Sequence, residues 1–235
     1  MRGLGQPVPE FVTKGNAQNW ETINKQYQQI AADVQGLNTF RYSGQITGGN
    51  QEFMEALSFQ HYLETQTLIS YDDAKARVAS MSGSAGPVLL TPEDYILGIF
   101  DMVGELMRFS ITAMATNGKL PEGRAKKAFK RKQESNDDEN ADKMEVDEQA
   151  PLPNDGEAPR NVLSDLRELR LQLEMLEPSG GSRFATDVYK KADVMRECVD
   201  KVEKALYGLT VRGTERPKGW VPDGREARRA EVESF

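Results

Sequence analysis

From Asn19 to Leu37, apolar residues recur at Trp20, Ile23, Tyr27, Ile30 and Val34, the threes-and-fours spacing of one helix face. Gly36 and Asn38 offer a stop, and SGQITGGN (residues 43–50) reads as a turn. A helix from about Gln51 to Ser70 follows, then a short one in SYDDAKARVASM, whose early aspartates suit the positive end of a helix dipole. SGSAGP reads as a linker. Thr91-Pro92-Glu93-Asp94 is a strong helix start: a threonine cap, a proline in the first turn and acids behind it. That helix is expected to run to about Thr116 and stop at Asn117-Gly118. It is apolar almost all round, from Tyr95 to Met114, which predicts a central place in a bundle. Leu163, Leu166, Leu169, Leu173 and Leu176 mark another helix. A last long one is expected from about Ala185 to Leu209, with Cys198 beside its apolar face as a core residue. Strand signals are nearly absent, so the expected fold class is all-α, a bundle of about six helices.

Two stretches lack this periodicity. Residues 1–18 read as a flexible arm and residues 213–235 as a frayed tail. Residues 119–160 differ in kind, holding a basic run (RAKKAFKRK), an acidic run (ESNDDENADKMEVDE) and a Pro-rich end. Such blocks bury too little apolar surface to fold, so they are expected to be a disordered insert between bundle segments 19–118 and 161–212. Arg124, Lys126, Lys127, Lys130, Arg131 and Lys132 form a candidate nuclear import run, with a solvated charge block as the alternative. Ser135, followed by Asn136-Asp137-Asp138, resembles an acidophilic kinase site that would tune it.

Composition narrows the function classes. Hydrophobic residues are 38% of the chain, charged residues 29%, and the net charge is −7. The negative charge argues against a free-standing nucleic-acid binder. No apolar run reaches the ~18 residues that span a bilayer, and MRGLGQPVPEF has no signal-peptide core. The single cysteine, Cys198, excludes an internal disulfide and a multi-cysteine zinc site. The single histidine, His61, excludes a di-iron bundle built on paired Glu-x-x-His motifs. His61 also lies on the far side of its helix from Glu52 and Glu55. Trp20 and Trp220 stand outside any basic aromatic cluster and are expected to be packing or tail residues.

The candidate chemistry is acidic. Glu52 and Glu55 share a stripe with Ala56, Phe59, Tyr62 and Leu63 at about 100° per residue. Asp101 and Glu105 lie one turn apart on the next long helix, on a stripe with Asp94, Arg108 and Thr112, flanked by Gly98 and Gly104. Two arrangements fit. The acids are solvated or salt-bridged, Glu105 with Arg108 for example, and the Phe53/Leu57 side is the core. Alternatively, the two helices converge and the four carboxylates face one cavity, a hard-oxygen site for Mg²⁺ or Mn²⁺.

Three stretches resemble the TRAX branch of the translin family: ITGGNQEFMEALSFQHYLETQTLIS, TPEDYILGIFDMVGELMRFSI and VEKALYGLTVRGTERPK. The likeness covers most of residues 20–118 and 161–218, and the full acidic set places it on that branch. The resemblance implies an antiparallel helical bundle that assembles with translin into a closed, hollow hetero-oligomer. It implies a catalytic subunit with metal-dependent endoribonuclease activity on short single-stranded RNA, such as small-RNA passenger fragments and tRNA-processing fragments. Single-stranded DNA is a further ligand, and the cytoplasm and nucleus are the expected locations. By carry-over, Glu52, Glu55, Asp101 and Glu105 are the catalytic and Mg²⁺-binding residues. A non-catalytic scaffold that stabilises translin and modulates its nucleic-acid binding is the alternative, and a generic helical interaction protein is a second. The family pattern also has a long helix before the one expected near Asn19. The loop-like residues here imply a shortened N-terminal region and an exposed groove.

Overall fold

A computed structural model describes residues 4–123 and 160–215 of the chain, with side chains to residue 211. The long helices are α1 (Glu10–Ala31), α3 (Ser43–Thr65), α5 (Pro92–Asn117) and α7 (Arg183–Glu215). Between them lie α2 (Asn38–Arg41), α4 (Tyr71–Met81) and α6 (Val162–Glu174). Among the described residues there is no strand, only an isolated bridge between Glu122 and Asn161. No described helix is long and apolar enough to cross a membrane. The all-α bundle is as the periodicity predicts.

The central helix is α5. Thr91 Oγ1 accepts from the Asp94 backbone N–H at 3.0 Å and Pro92 opens the first turn. Gly118 ends the helix in the left-handed region at φ 65°. On one side α5 packs against α3, on the other against α7 and α6. Met102, Val103, Leu106, Leu166, Met195 and Val199 lie in the larger core, which buries Cys198 as expected. A second core joins α1, α4 and the inner face of α3 through Tyr27, Phe53, Met54 and Val78. Trp20 packs edge-on to Phe53 with ring centroids 6.0 Å apart, a packing residue as expected.

Paired contacts give the helix directions. Arg167–Glu203, Arg170–Asp200 and Arg196–Glu174 run in opposite order along α6 and α7. Asn50–Asp94 and Phe59–Phe109 run in the same order along α3 and α5. Thus α3 and α5 run parallel, and α6 and α7 run antiparallel.

Several segments depart from the sequence expectation. Helix α1 ends at Ala31 rather than Leu37. Residues 119–123 and 160 of the expected insert are placed, with Leu120 in the larger core. Helix α7 runs on through residues 213–215. Two departures are larger. The first helix begins at Glu10, not near Asn19, and Leu4 is buried in the larger core, so residues 4–18 are not a free arm. Residues 10–19 are helical but almost wholly exposed, so they carry no apolar stripe to read. The packed half from Trp20 to Ala31 nucleates the helix, and extension is then cheap. A Glu10–Lys14 pair at 2.8 Å and Pro9 mark its start. The supposed turn at 43–50 is instead the first two turns of α3. Asn50 is buried, accepts from Tyr27 Oη at 3.0 Å and donates to Asp94 Oδ2 at 3.0 Å and to the Leu89 carbonyl at 3.2 Å. Thr47 donates to Asp94 Oδ1. These tertiary bonds hold a glycine-rich segment helical against its weak propensity. The same helix ends early, at Thr65, where Gln66 turns left-handed at φ 57°.

The chain leaves for the charged insert and returns at one point. Gly123 N–H donates to the Arg160 carbonyl at 3.0 Å and Val162 N–H to the Pro121 carbonyl at 3.2 Å. Buried Asp165 clasps this neck, accepting from Tyr62 Oη at 2.6 Å, from Gln66 Nε2 at 3.0 Å and from Arg160. The candidate import run (Arg124, Lys126, Lys127, Lys130, Arg131, Lys132), Ser135, Trp220 and the tail beyond Glu215 lie outside the described residues.

Candidate active site

Helices α3 and α5 approach closely at Gly98, beside a cleft that these two helices form with α7. A Cβ there would stand 2.5 Å from Met54 Cβ and 3.0 Å from the Gln51 carbonyl oxygen. Glycine therefore sets the helix spacing, whereas Gly104, with nothing within 4 Å of a built Cβ, opens the wall of the cleft. One turn beyond the acids, Phe59 meets Phe109 edge to face at 6.3 Å.

Glu52, Glu55, Asp101 and Glu105 all line this one cleft of about 560 Å³. The inner face of α3 is Asn50, Phe53, Met54, Ser58 and Tyr62, so the Phe53 side is the core, as the solvated alternative has it. The acids lie beside that face: Glu52 is exposed and Glu55 half-buried at the cleft margin. Asp94, on the same α5 stripe by spacing, belongs instead to the Asn50 network and is 3% exposed. His61 is absent from the cleft lining, and its Nε2 lies 3.3 Å from Thr67 Oγ1.

Charge balance in the cleft is uneven. Asp101 is paired with Lys191 of α7, which donates to both carboxylate oxygens. Glu105 is paired with Arg108 on its own helix, the i,i+3 pair that the spacing offers. Glu52 and Glu55 take part in no ion pair among the described residues. Burial, then the negative charges of Asp101, Glu105 and Glu52, push the Glu55 carboxyl up to about 7, and a hydrogen bond with Glu105 adds to this.

The donor set is hard oxygen with surplus negative charge, the chemistry that a divalent cation relieves. Among the described residues, however, no three His, Cys, Asp or Glu side chains are gathered closely enough to hold an ion. A cation here would draw the carboxylates together and compete with Lys191 and Arg108. Sequence reasoning missed the α7 wall, Lys190 and Lys191. A basic doublet one turn into a predicted helix was the available signal, but its proximity to Asp101 is purely tertiary.

The sequence profile described as Translin family matches residues 5–213. The chain is similar to Translin-associated protein X of Rattus norvegicus, at 24% identity over 92% of this chain and 67% of the relative. Its similarity to the protein of that name from Pongo abelii is 26% identity over 86% of this chain and 61% of the relative. The Translin-associated protein X homolog of Schizosaccharomyces pombe is 36% identical over a shorter stretch, 38% of this chain and 35% of the relative. With a match across nearly its whole length, the chain belongs to the translin family.

Proposed function

We propose that the chain is the catalytic subunit of a hetero-oligomer with translin, a metal-dependent endoribonuclease that cuts short single-stranded RNA. The observation that carries this is the meeting of four carboxylates from α3 and α5 in one open cleft, two of them, Glu52 and Glu55, in no ion pair among the described residues. Glu52, Glu55, Asp101 and Glu105 would hold Mg²⁺, with Mn²⁺ as a substitute. When bound, the ion supplies an activated water and neutralises charge on the scissile phosphate. The chain's own part is to set the spacing of the two acidic helices at Gly98 and to keep the cleft open at Gly104. Its net negative charge makes it a poor RNA binder alone, so translin supplies the basic surface. Small-RNA passenger fragments and tRNA-processing fragments are the proposed substrates, in the cytoplasm and nucleus.

The two ion pairs favour a second reading. Asp101 and Glu105 already have cationic partners, and no three ligands are gathered, as in a scaffold subunit that shapes translin's binding of single-stranded RNA or DNA. Co-expression with translin, followed by an RNA cleavage assay, separates the two. Cleavage that needs Mg²⁺, stops with EDTA and falls at least about 100-fold in Glu55→Gln, with assembly intact, is the expected result. An assembled complex that cuts no RNA establishes the scaffold.

A further inference from the structure

Lys191 is the one cation of another helix that forms an ion pair with these acids among the described residues. The side chains of Lys191 and Asp101 are 26% and 31% exposed, so the pair is sheltered but not sealed. Arg108 is different: it is 71% exposed and bound to a residue of its own helix. A lysine is a compact point charge on a flexible four-carbon stem, able to release a carboxylate without moving its helix. Its ammonium carries three N–H donors and no acceptor, so an anion or water must take them once the carboxylate leaves.

We propose that Lys191 is a displaceable counterion: it holds Asp101 in the metal-free chain, yields that carboxylate to an entering divalent cation, and then contacts a phosphate of the RNA strand in the cleft. This rests on the function proposed above. The exchange raises the positive charge at the carboxylates by one, as an ion of charge +2 takes the place of one ammonium among four acids. The freed ammonium then faces the negative strand whose cleavage the ion serves. Lys191 is thus a positioning residue with two opposed effects. Removing it strengthens ion binding, since the ion no longer competes with an ammonium, and weakens RNA binding. A merely structural lysine would weaken both when removed.

The test uses the full chain co-purified with translin. Mn²⁺ affinity is read from the electron paramagnetic resonance signal of the free ion. Affinity for a 2′-O-methyl single strand, which resists cleavage, is read by fluorescence anisotropy in Mg²⁺. Lys191→Met should bind Mn²⁺ about three- to tenfold more tightly and the strand about three- to tenfold more weakly. Lys191→Arg should stay nearer to wild type in both. Lys204→Met, which removes the same charge from an exposed position of α7 outside the cleft lining, should shift Mn²⁺ affinity by less than about twofold. Lys191→Met with Mn²⁺ affinity unchanged or weakened, or with strand affinity unchanged, overturns the proposal. So does an equal gain in Lys204→Met, which would mean bulk charge alone. If wild type binds no Mn²⁺, the metal site itself fails and this inference falls with it.

Discussion

Asp94 and Glu55 lie along the same seam between α3 and α5, yet they are treated in opposite ways. Asp94 is buried and its carboxylate is engaged at both oxygens: Thr47 donates to one and Asn50 to the other. Glu55 is half-exposed and surrounded by acids, and its carboxyl is pushed up to about 7. A buried charge ringed by donors fixes a structure. A carboxylate left among like charges does nothing for the fold, and that imbalance marks the cleft as a place for a ligand.

Three substitutions sharpen or break this contrast. The largest expected effect on stability is at the satisfied end. Asp94→Ala strands Thr47 and one bond of Asn50 and should cost roughly 2–4 kcal/mol in urea denaturation. A loss no larger than that of a surface change would mean the network is not structural. Gly98→Ala comes next, at about 1–3 kcal/mol, because its Cβ meets Met54 where the two helices touch. It should also reduce cleavage by spreading Glu55 from Asp101, whereas normal stability and activity together would remove Gly98 from the account.

The smallest effect is at Glu55, and its sign is opposite to that at Asp94. Its folded value near 7 exceeds its ordinary value of 4.5, so the folded chain holds the proton more tightly. The stabilisation is complete below about 4.5 and is lost as pH rises through about 7. Glu55→Gln should therefore flatten the stability profile over that window and leave the chain no less stable at about pH 8. Mg²⁺ should flatten the wild-type profile in the same way. A variant that keeps the full wild-type slope would place the titration elsewhere.

Much of this was legible in the sequence where pattern and packing agree. The cap at Thr91 and the stop at Gly118 mark α5 as read, and the acidic stripes of α3 and α5 do line one cleft. The misses have a common cause. Residues 10–19 are helical without burying a face, and residues 43–50 are helical because of Tyr27 and Asp94, partners far away in sequence. Asp94 shares a stripe with Asp101 by spacing, but its neighbours decide its role. Lys191 was invisible for the same reason, since nothing in its local sequence refers to Asp101.

The neck at Gly123 and Arg160 has an evolutionary meaning. Exit and return are joined by backbone bonds and clasped by Asp165, away from the acidic cleft. For a flexible connection, each doubling of length adds only about 0.6 kcal/mol of closure entropy. Where a connection between those two residues is of that kind, a change in its length reaches the bundle only through the neck. The neck is a port at which new addresses or new docking sequences can be tried without putting the older chemistry at stake.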